Sequence, residues 1–243
     1  MVMHHPPVSE PSGFLVAHRA GNDLERLRAA ERLGARLIEA DVRLHHGRVE
    51  VRHLKSVGPL PIYWDHWYIA NPFARRMQLH ELLAATGPGT ELMLDLKGYQ
   101  IKLAHRVREE LAAVSTGGAA PVTVCARSWR LLEPFAADDH VRTVCSVGSR
   151  RGLRRLLDAT RRSGVRVGGV SIHAKLLDPA TVEALRDAAD VVMTWPVNSL
   201  DDGQRLLDWG VHGLITDEPH DLDALVTPTN EHGNDNGNEA VSA

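Results

Sequence analysis

The sequence predicts an α/β protein built as a (β/α)8 TIM barrel in a single domain, and three observations predict it. Eight apolar strand-like runs alternate with helical stretches from Phe14 to residue 226, the pattern of a barrel at the small end of its size range. The first run ends in His18-Arg-Ala-Gly21 rather than a glycine-rich phosphate loop, which argues against a doubly wound open sheet. Ionisable residues gather at the ends of most runs, where such a barrel carries its active site.

Taken in order, Phe14-Leu-Val-Ala-His-Arg19 is a short strand with its polar residues at the C-terminal end. Gly21-Asn22-Asp23 breaks it, Asn22 or Asp23 supplies a helix cap, and Leu24, Leu27, Ala30 and Leu33 form a helical stripe ended by Gly34. From Arg36 to Leu44, Ile38, Ala40, Val42 and Leu44 alternate with Leu37, Glu39, Asp41 and Arg43. That is the period of a strand, so Glu39 and Asp41 point the same way. The chain turns at His45-His46-Gly47 and returns through Val49 and Val51 to His53. Residues 55–78 carry three prolines and the aromatics Tyr63, Trp64, Trp67, Tyr68 and Phe73. They are expected to be irregular, either an amphipathic rim over an active site or a packed surface loop. After helix 79–86 come strands 91–97, 121–127, 142–147, 167–173, 191–195 and 213–217, each followed by a helix: 99–115, 128–137, 149–162, 179–188, 200–209 and 220–226. The domain thus spans 14–226, between a proline-bearing lead at 1–13 and a polar tail at 227–243, both expected to be disordered.

Composition narrows the function classes. With 28 Lys plus Arg against 31 Asp plus Glu, the chain lacks the basic excess of a nucleic-acid binder. It carries no signal-peptide pattern and no apolar run long enough to span a membrane, so stable membrane insertion is not expected. The two cysteines, Cys125 and Cys145, sit in apolar strands and read as buried, reduced thiols of a cytoplasmic protein.

The rim has a legible chemistry. Two carboxylates at i and i+2 on one strand face, Glu39 and Asp41, repel each other. Alone they fit a solvated face or an ion pair with Arg43 as well as a metal site. Asp95, at the end of the next parallel strand, adds a third hard oxygen donor, and no cysteine or closely spaced histidine pair joins them. That set suits Mg2+ or Ca2+ better than zinc. Lys97 and Arg19, with Arg127 or Lys175, supply positive charge for an anionic substrate such as a phosphate ester. His18 and His53 approach from different sides, as a general acid and base on opposite faces of a phosphorus centre would.

His18-Arg19, Gly34-Ala-Arg-Leu-Ile-Glu-Ala-Asp41, His53, Asp95-Leu-Lys97, Trp195-Pro-Val-Asn198 and Gly210-Val-His-Gly-Leu-Ile-Thr-Asp-Glu-Pro219 resemble the glycerophosphodiester phosphodiesterase family over residues 14 to 220. The resemblance implies a (β/α)8 barrel that binds a divalent metal through acidic residues. It also implies cleavage of glycerophosphodiesters to glycerol phosphate and an alcohol, with a substrate hydroxyl attacking phosphorus first to give a cyclic phosphate. Carried over, it makes Glu39 and Asp41 metal ligands, His18 and His53 the acid/base pair, Arg19 and Lys97 phosphate contacts, and Trp195 a wall of the substrate pocket.

Three departures stand out. Gly21-Asn22-Asp23 occupies the place of the family's Glu-Asn-Thr, so that metal-binding glutamate is missing, although Asn22 or Asp23 can support the site. His53-Leu54 replaces His-Asp, and Asp95-Leu-Lys97 replaces Glu-x-Lys. The first and third make the site similar to the sphingomyelinase D and phospholipase D branch of the superfamily, which implies Glu39, Asp41 and Asp95 as the ligand set. The leading expectation is a metal-dependent phosphodiesterase acting on a small glycerophosphodiester. The alternatives are headgroup cleavage of a lysophospholipid or sphingolipid and a noncatalytic barrel that binds a phosphorylated ligand; a metal-dependent isomerase on the same barrel is less well supported.

Overall fold

The computed structural model describes residues 13–56, 63–65, 68–70, 75–114 and 121–226. Eight parallel strands form its centre: β1 (Phe14–Ala17), β2 (Leu37–His45), β7 (Glu91–Leu96), β8 (Val122–Ala126), β9 (Val141–Val147), β10 (Val170–His173), β11 (Val192–Trp195) and β12 (Gly213–Thr216). Each pairs with its neighbour in chain order. The ring closes where β1 pairs with β12 on one side, Ala17 beside Thr216, and with β2 on the other, Ala17 beside Ile38. This is the expected (β/α)8 barrel. Alternate residues of each strand point inward, and Phe14, Val16, Leu37, Met93, Cys125, Val144, Met193 and Ile215 pack as one cluster inside it. A larger apolar shell lies between the strands and the surrounding helices.

The inward parity positions the site. In β2 the inward Leu37 is followed by Glu39 and Asp41, and in β7 the inward Met93 is followed by Asp95 and Lys97. The lower barrel is therefore apolar and the C-terminal rim ionisable. Helix α1 (Leu24–Leu33) begins on Asp23, whose carboxylate accepts from the backbone N–H groups of Glu25 and Arg26, and ends at Gly34 in the left-handed region, φ 76°. Strand β3 (Arg48–Val51) returns antiparallel on β2 as expected. Helices α2 (Leu79–Ala85), α3 (Ile101–Val114), α4 (Arg150–Ser163), α5 (Pro179–Ala188) and α6 (Leu200–Asp208) fall within a residue or two of the predicted spans.

Four expectations need correction. Residues 55–78 are not wholly irregular: β4 (Lys55–Ser56), β5 (Tyr63–Asp65) and β6 (Tyr68–Ala70) form a small antiparallel sheet. Residues 57–62, 66–67 and 71–74 of that stretch lie outside the described residues, as do the lead at 1–12 and the tail at 227–243. The helix expected at 128–137 is a 3-10 segment, Trp129–Phe135, with Pro134 inside it; proline lacks the N–H an α-helical ladder needs. The strand expected from Val167 begins at Val170, because Gly168 and Gly169 pack closely on β9: a Cβ on Gly169 would lie 2.9 Å from the Val144 side chain. The last helix, α7, is only Pro219–Leu222 before a 3-10 turn. No helix among the described residues is long and apolar enough to cross a membrane.

Candidate active site

Strands β2 and β7 run in register, which sets Asp41 directly beside Asp95. Glu39, Asp41 and Asp95 each present a carboxylate oxygen within 4.8 Å of the others. Glu39 and Asp41 are buried, at 3% and 0% exposure. Unit charges at that spacing repel by about 3–4 kcal/mol per pair at an effective dielectric of about 20. Lys97 is the compensating group: its ammonium pairs with Asp95 and lies 2.7 Å from Asp41 Oδ1. One ammonium among three carboxylates leaves an excess of negative charge.

The titration of the cluster follows from that charge balance. Burial, then the adjacent Asp41, pushes the Glu39 carboxyl well above its usual range, and burial raises Asp95 as well. Asp41 is held below its usual range: burial opposes ionisation there, but Lys97 and a hydrogen bond from Asn22 outweigh it. Lys97 is held above the ordinary lysine range, its burial outweighed by Asp95, Asp41 and Glu39.

Asn22 grips Asp41 twice. Its Nδ2 donates to Asp41 Oδ2 at 2.7 Å, and its Oδ1 accepts from the Asp41 backbone N–H at 2.8 Å. Of the two supports expected from the sequence, Asn22 fills the role and Asp23 is spent on capping α1. Asp41 Oδ1 is buried without a properly aligned hydrogen bond. Three hard carboxylates, one with an under-satisfied buried oxygen, form a donor set that fits a divalent cation. The missing fourth carboxylate is a matter of space. A Cβ on Gly21 would stand 2.8 Å from Ala40 Cβ and 3.1 Å from the Glu39 carbonyl oxygen, so the backbone at Gly21 packs where a side chain would have to leave.

The other predicted residues collect around this cluster. Arg19 adopts the left-handed conformation at φ 54°, donates its backbone N–H to Glu39 at 2.7 Å, and holds its guanidinium 2.8 Å from His53 Nε2. A guanidinium only donates, so His53 accepts at Nε2 and carries its proton on Nδ1. His18, at the end of β1, places Nδ1 2.7 Å from Asp217 Oδ1. Burial lowers the His18 pKa from its ordinary 6.5, with Asp217 partly opposing the shift. Trp195, half-buried at the end of β11, packs its ring 4.7 Å from that of His173, with the Arg127 guanidinium 6.0 Å above it. The structure thus brings His18, His53, Arg19, Lys97, Trp195, Glu39, Asp41 and Asp95 to one rim.

Sequence reasoning placed Asp217 at a strand end but missed its partnership with His18. The two are 199 residues apart, and only closure of the barrel through the β1–β12 pairing joins them.

Residues 78–221 match the model of the Glycerophosphoryl diester phosphodiesterase family. The chain belongs to this family. Membership makes it a phosphoric diester hydrolase. No curated protein matches the sequence. Among solved structures, the chain is similar to a glycerophosphodiester phosphodiesterase from Parabacteroides distasonis, with a TM-score of 0.71, 15% identity, and 90% of this chain and 98% of that one covered. It is similar to the glycerophosphodiester phosphodiesterase of Thermotoga maritima, with a TM-score of 0.66, 18% identity, and 93% and 99% covered. An Oleispira antarctica phosphodiesterase solved with the product sn-glycerol-3-phosphate gives a TM-score of 0.66 at 16% identity, with 87% and 95% covered. At these identities the likenesses speak for the shared barrel.

Proposed function

We propose that this member of the family is a metal-dependent hydrolase of small glycerophosphodiesters, releasing glycerol phosphate and an alcohol, with residues 14–226 as its catalytic domain. The observation that carries this reading is the buried trio Glu39, Asp41 and Asp95 at the rim, with Lys97 among them and both histidines beside it. The trio would hold Mg2+ or Ca2+, which when bound supplies charge stabilisation to a phosphoryl oxygen. Arg19 and Lys97 bind the phosphodiester anion. His18, with Nδ1 tied to Asp217, keeps Nε2 free to exchange a proton with one oxygen of the reacting phosphorus, and His53 serves the opposite side. Asp217 is a positioning residue, fixing the tautomer and orientation of His18. Trp195 walls the substrate. The buried, unpaired thiols Cys125 and Cys145 suit a cytoplasmic location.

One observation favours a second reading, a lysophospholipid substrate. A cavity of roughly 480 Å³, lined largely by Ala17, Ala20, Ala30, Leu33 and Pro219, opens beside His18 and Asp217 and has room for an apolar chain. The test is hydrolysis of glycerophosphocholine against lysophosphatidylcholine, with and without chelator. Metal-dependent turnover of the former at the higher kcat/KM supports the leading reading, a preference for the acylated compound supports the second, and turnover of neither contradicts both. In the same assay His18→Ala and His53→Ala each lower kcat about 10²–10⁴-fold, the usual worth of proton transfer.

A further inference from the structure

A second polar groove lies next to this rim, and its chemistry is anionic recognition. It is a cavity of roughly 720 Å³ between α4 and the segment after β10, lined by Arg150, Arg154, Lys175 and Asp178 together with Leu153 and Thr181. Its three cations are exposed and form no ion pair among the described residues. Its single carboxylate, Asp178, is occupied as the cap of α5, accepting the Thr181 N–H at 2.7 Å.

The placement of the arginines runs against local preference. Arg150 and Arg151 stand in the first turn of α4, where the helix dipole favours acids, and that turn carries no acid. Arg150 and Arg154 are one turn apart, so like charges face each other on a single helix surface. In a chain whose formal net charge is −3, this concentration of uncompensated cations at a helix N-terminus is stabilised by an anion seated between them.

The groove is continuous with the reacting centre. Arg127, from the end of β8, lays its guanidinium against Gly148, just before the Ser149 cap of α4: a Cβ on Gly148 would lie 3.0 Å from Arg127 Nη2. The same guanidinium stands over the Trp195 ring, and the Lys175 N–H donates to His173, whose ring packs on Trp195. Lys97, Arg127, Lys175 and then Arg150 and Arg154 therefore mark a cationic track running outward from the metal-ligand candidates.

We propose that this groove is a phosphate subsite for the alcohol half of the substrate, so that the enzyme prefers glycerophosphodiesters whose leaving alcohol bears a further phosphate. The inference rests on the phosphodiesterase reading above. A free phosphate anion shares the ligand chemistry, and the experiment separates the two sources.

The test compares kcat/KM of the full-length, metal-replete enzyme on glycerophosphoglycerol and on bis(glycerophospho)glycerol. The parent enzyme favours the second. Arg150→Ala/Arg154→Ala lowers that preference ratio about tenfold, the scale of losing one charge-assisted hydrogen bond. Arg161→Ala/Arg162→Ala, which removes as much charge from the far end of α4, leaves the ratio as in the parent. An unchanged ratio in the groove variant, or an equal fall in both double variants, overturns the proposal. Inorganic phosphate that binds the groove and changes turnover of glycerophosphoglycerol, with no preference between the two diesters, also overturns it in favour of a free-anion site. If the parent cleaves neither diester, the phosphodiesterase reading has failed. Calorimetric titration of the chelated protein with bis(glycerophospho)glycerol then decides the groove: saturable binding lost only in Arg150→Ala/Arg154→Ala supports it, and no binding overturns it.

Discussion

At the scale of single residues, the site depends on partners that hold its acids and bases in one state. His18 is kept neutral by burial more strongly than Asp217 favours its charge, so its ring titrates below 6.5. The folded state therefore binds fewer protons at His18 than the unfolded chain does, and the stability this group contributes is present above pH 6.5 and lost as the pH falls below it. Removing the anion in Asp217→Asn moves the His18 midpoint lower still. NMR titration of the imidazole checks both statements, and a parent midpoint above 6.5 contradicts them. Asn22 plays the corresponding part for Asp41. Asn22→Ala lowers affinity for Mg2+ by about 10–100-fold, as loss of a ligand's hydrogen-bonding support does; calorimetry reads it, and an unaltered affinity counts against the ligand assignment. Glu39, Asp41, Asp95 and Lys97 were legible in the sequence because period-2 alternation fixes which face a strand residue occupies. The Gly21 contact with Ala40 was not, because it depends on how closely two backbones approach.

At the scale of elements, the β2–β3 hairpin carries His53 to the rim and is fastened from two sides. Val51 N–H donates to the Met77 carbonyl and Arg52 N–H to the Asp41 carbonyl, both at 2.8 Å. Beneath them Arg52 Nε donates to Glu50 at 2.6 Å, with the two side chains 4% and 9% exposed. Glu50→Ala leaves a buried guanidinium without its carboxylate and costs roughly 3 kcal/mol of stability. Urea unfolding at an unchanged m-value measures it, and a loss within experimental error means that Arg52 is satisfied by its other contacts. The hairpin was predictable from the alternation of Val49 and Val51 across a Gly47 turn. The three-stranded sheet within 55–78 was not, because its strands are two or three residues long and too short to show a period. The 3-10 segment at Trp129–Phe135 was hidden similarly: its apolar spacing is helical, and only Pro134 signals that the α-helical ladder fails.

At the scale of the whole molecule, closure turns a linear list of strand ends into a site. The first and last strands meet, bringing His18 to Asp217. The neighbouring β2 and β7 bring three carboxylates together, and β10 and β11 supply His173 and Trp195 across the mouth. The barrel and the gathering of charge at one rim could be read from the order of apolar runs, whereas the pairing across the seam follows only from the register of β1 with β12. The account's central claim is that the rim carboxylates hold the divalent cation required for phosphodiester hydrolysis. Crystals grown with Mn2+ and measured for anomalous scattering test it directly. The account predicts one strong peak at coordination distance from Glu39, Asp41 and Asp95, abolished in Asp41→Asn; a metal-activated enzyme whose peak lies elsewhere would contradict it.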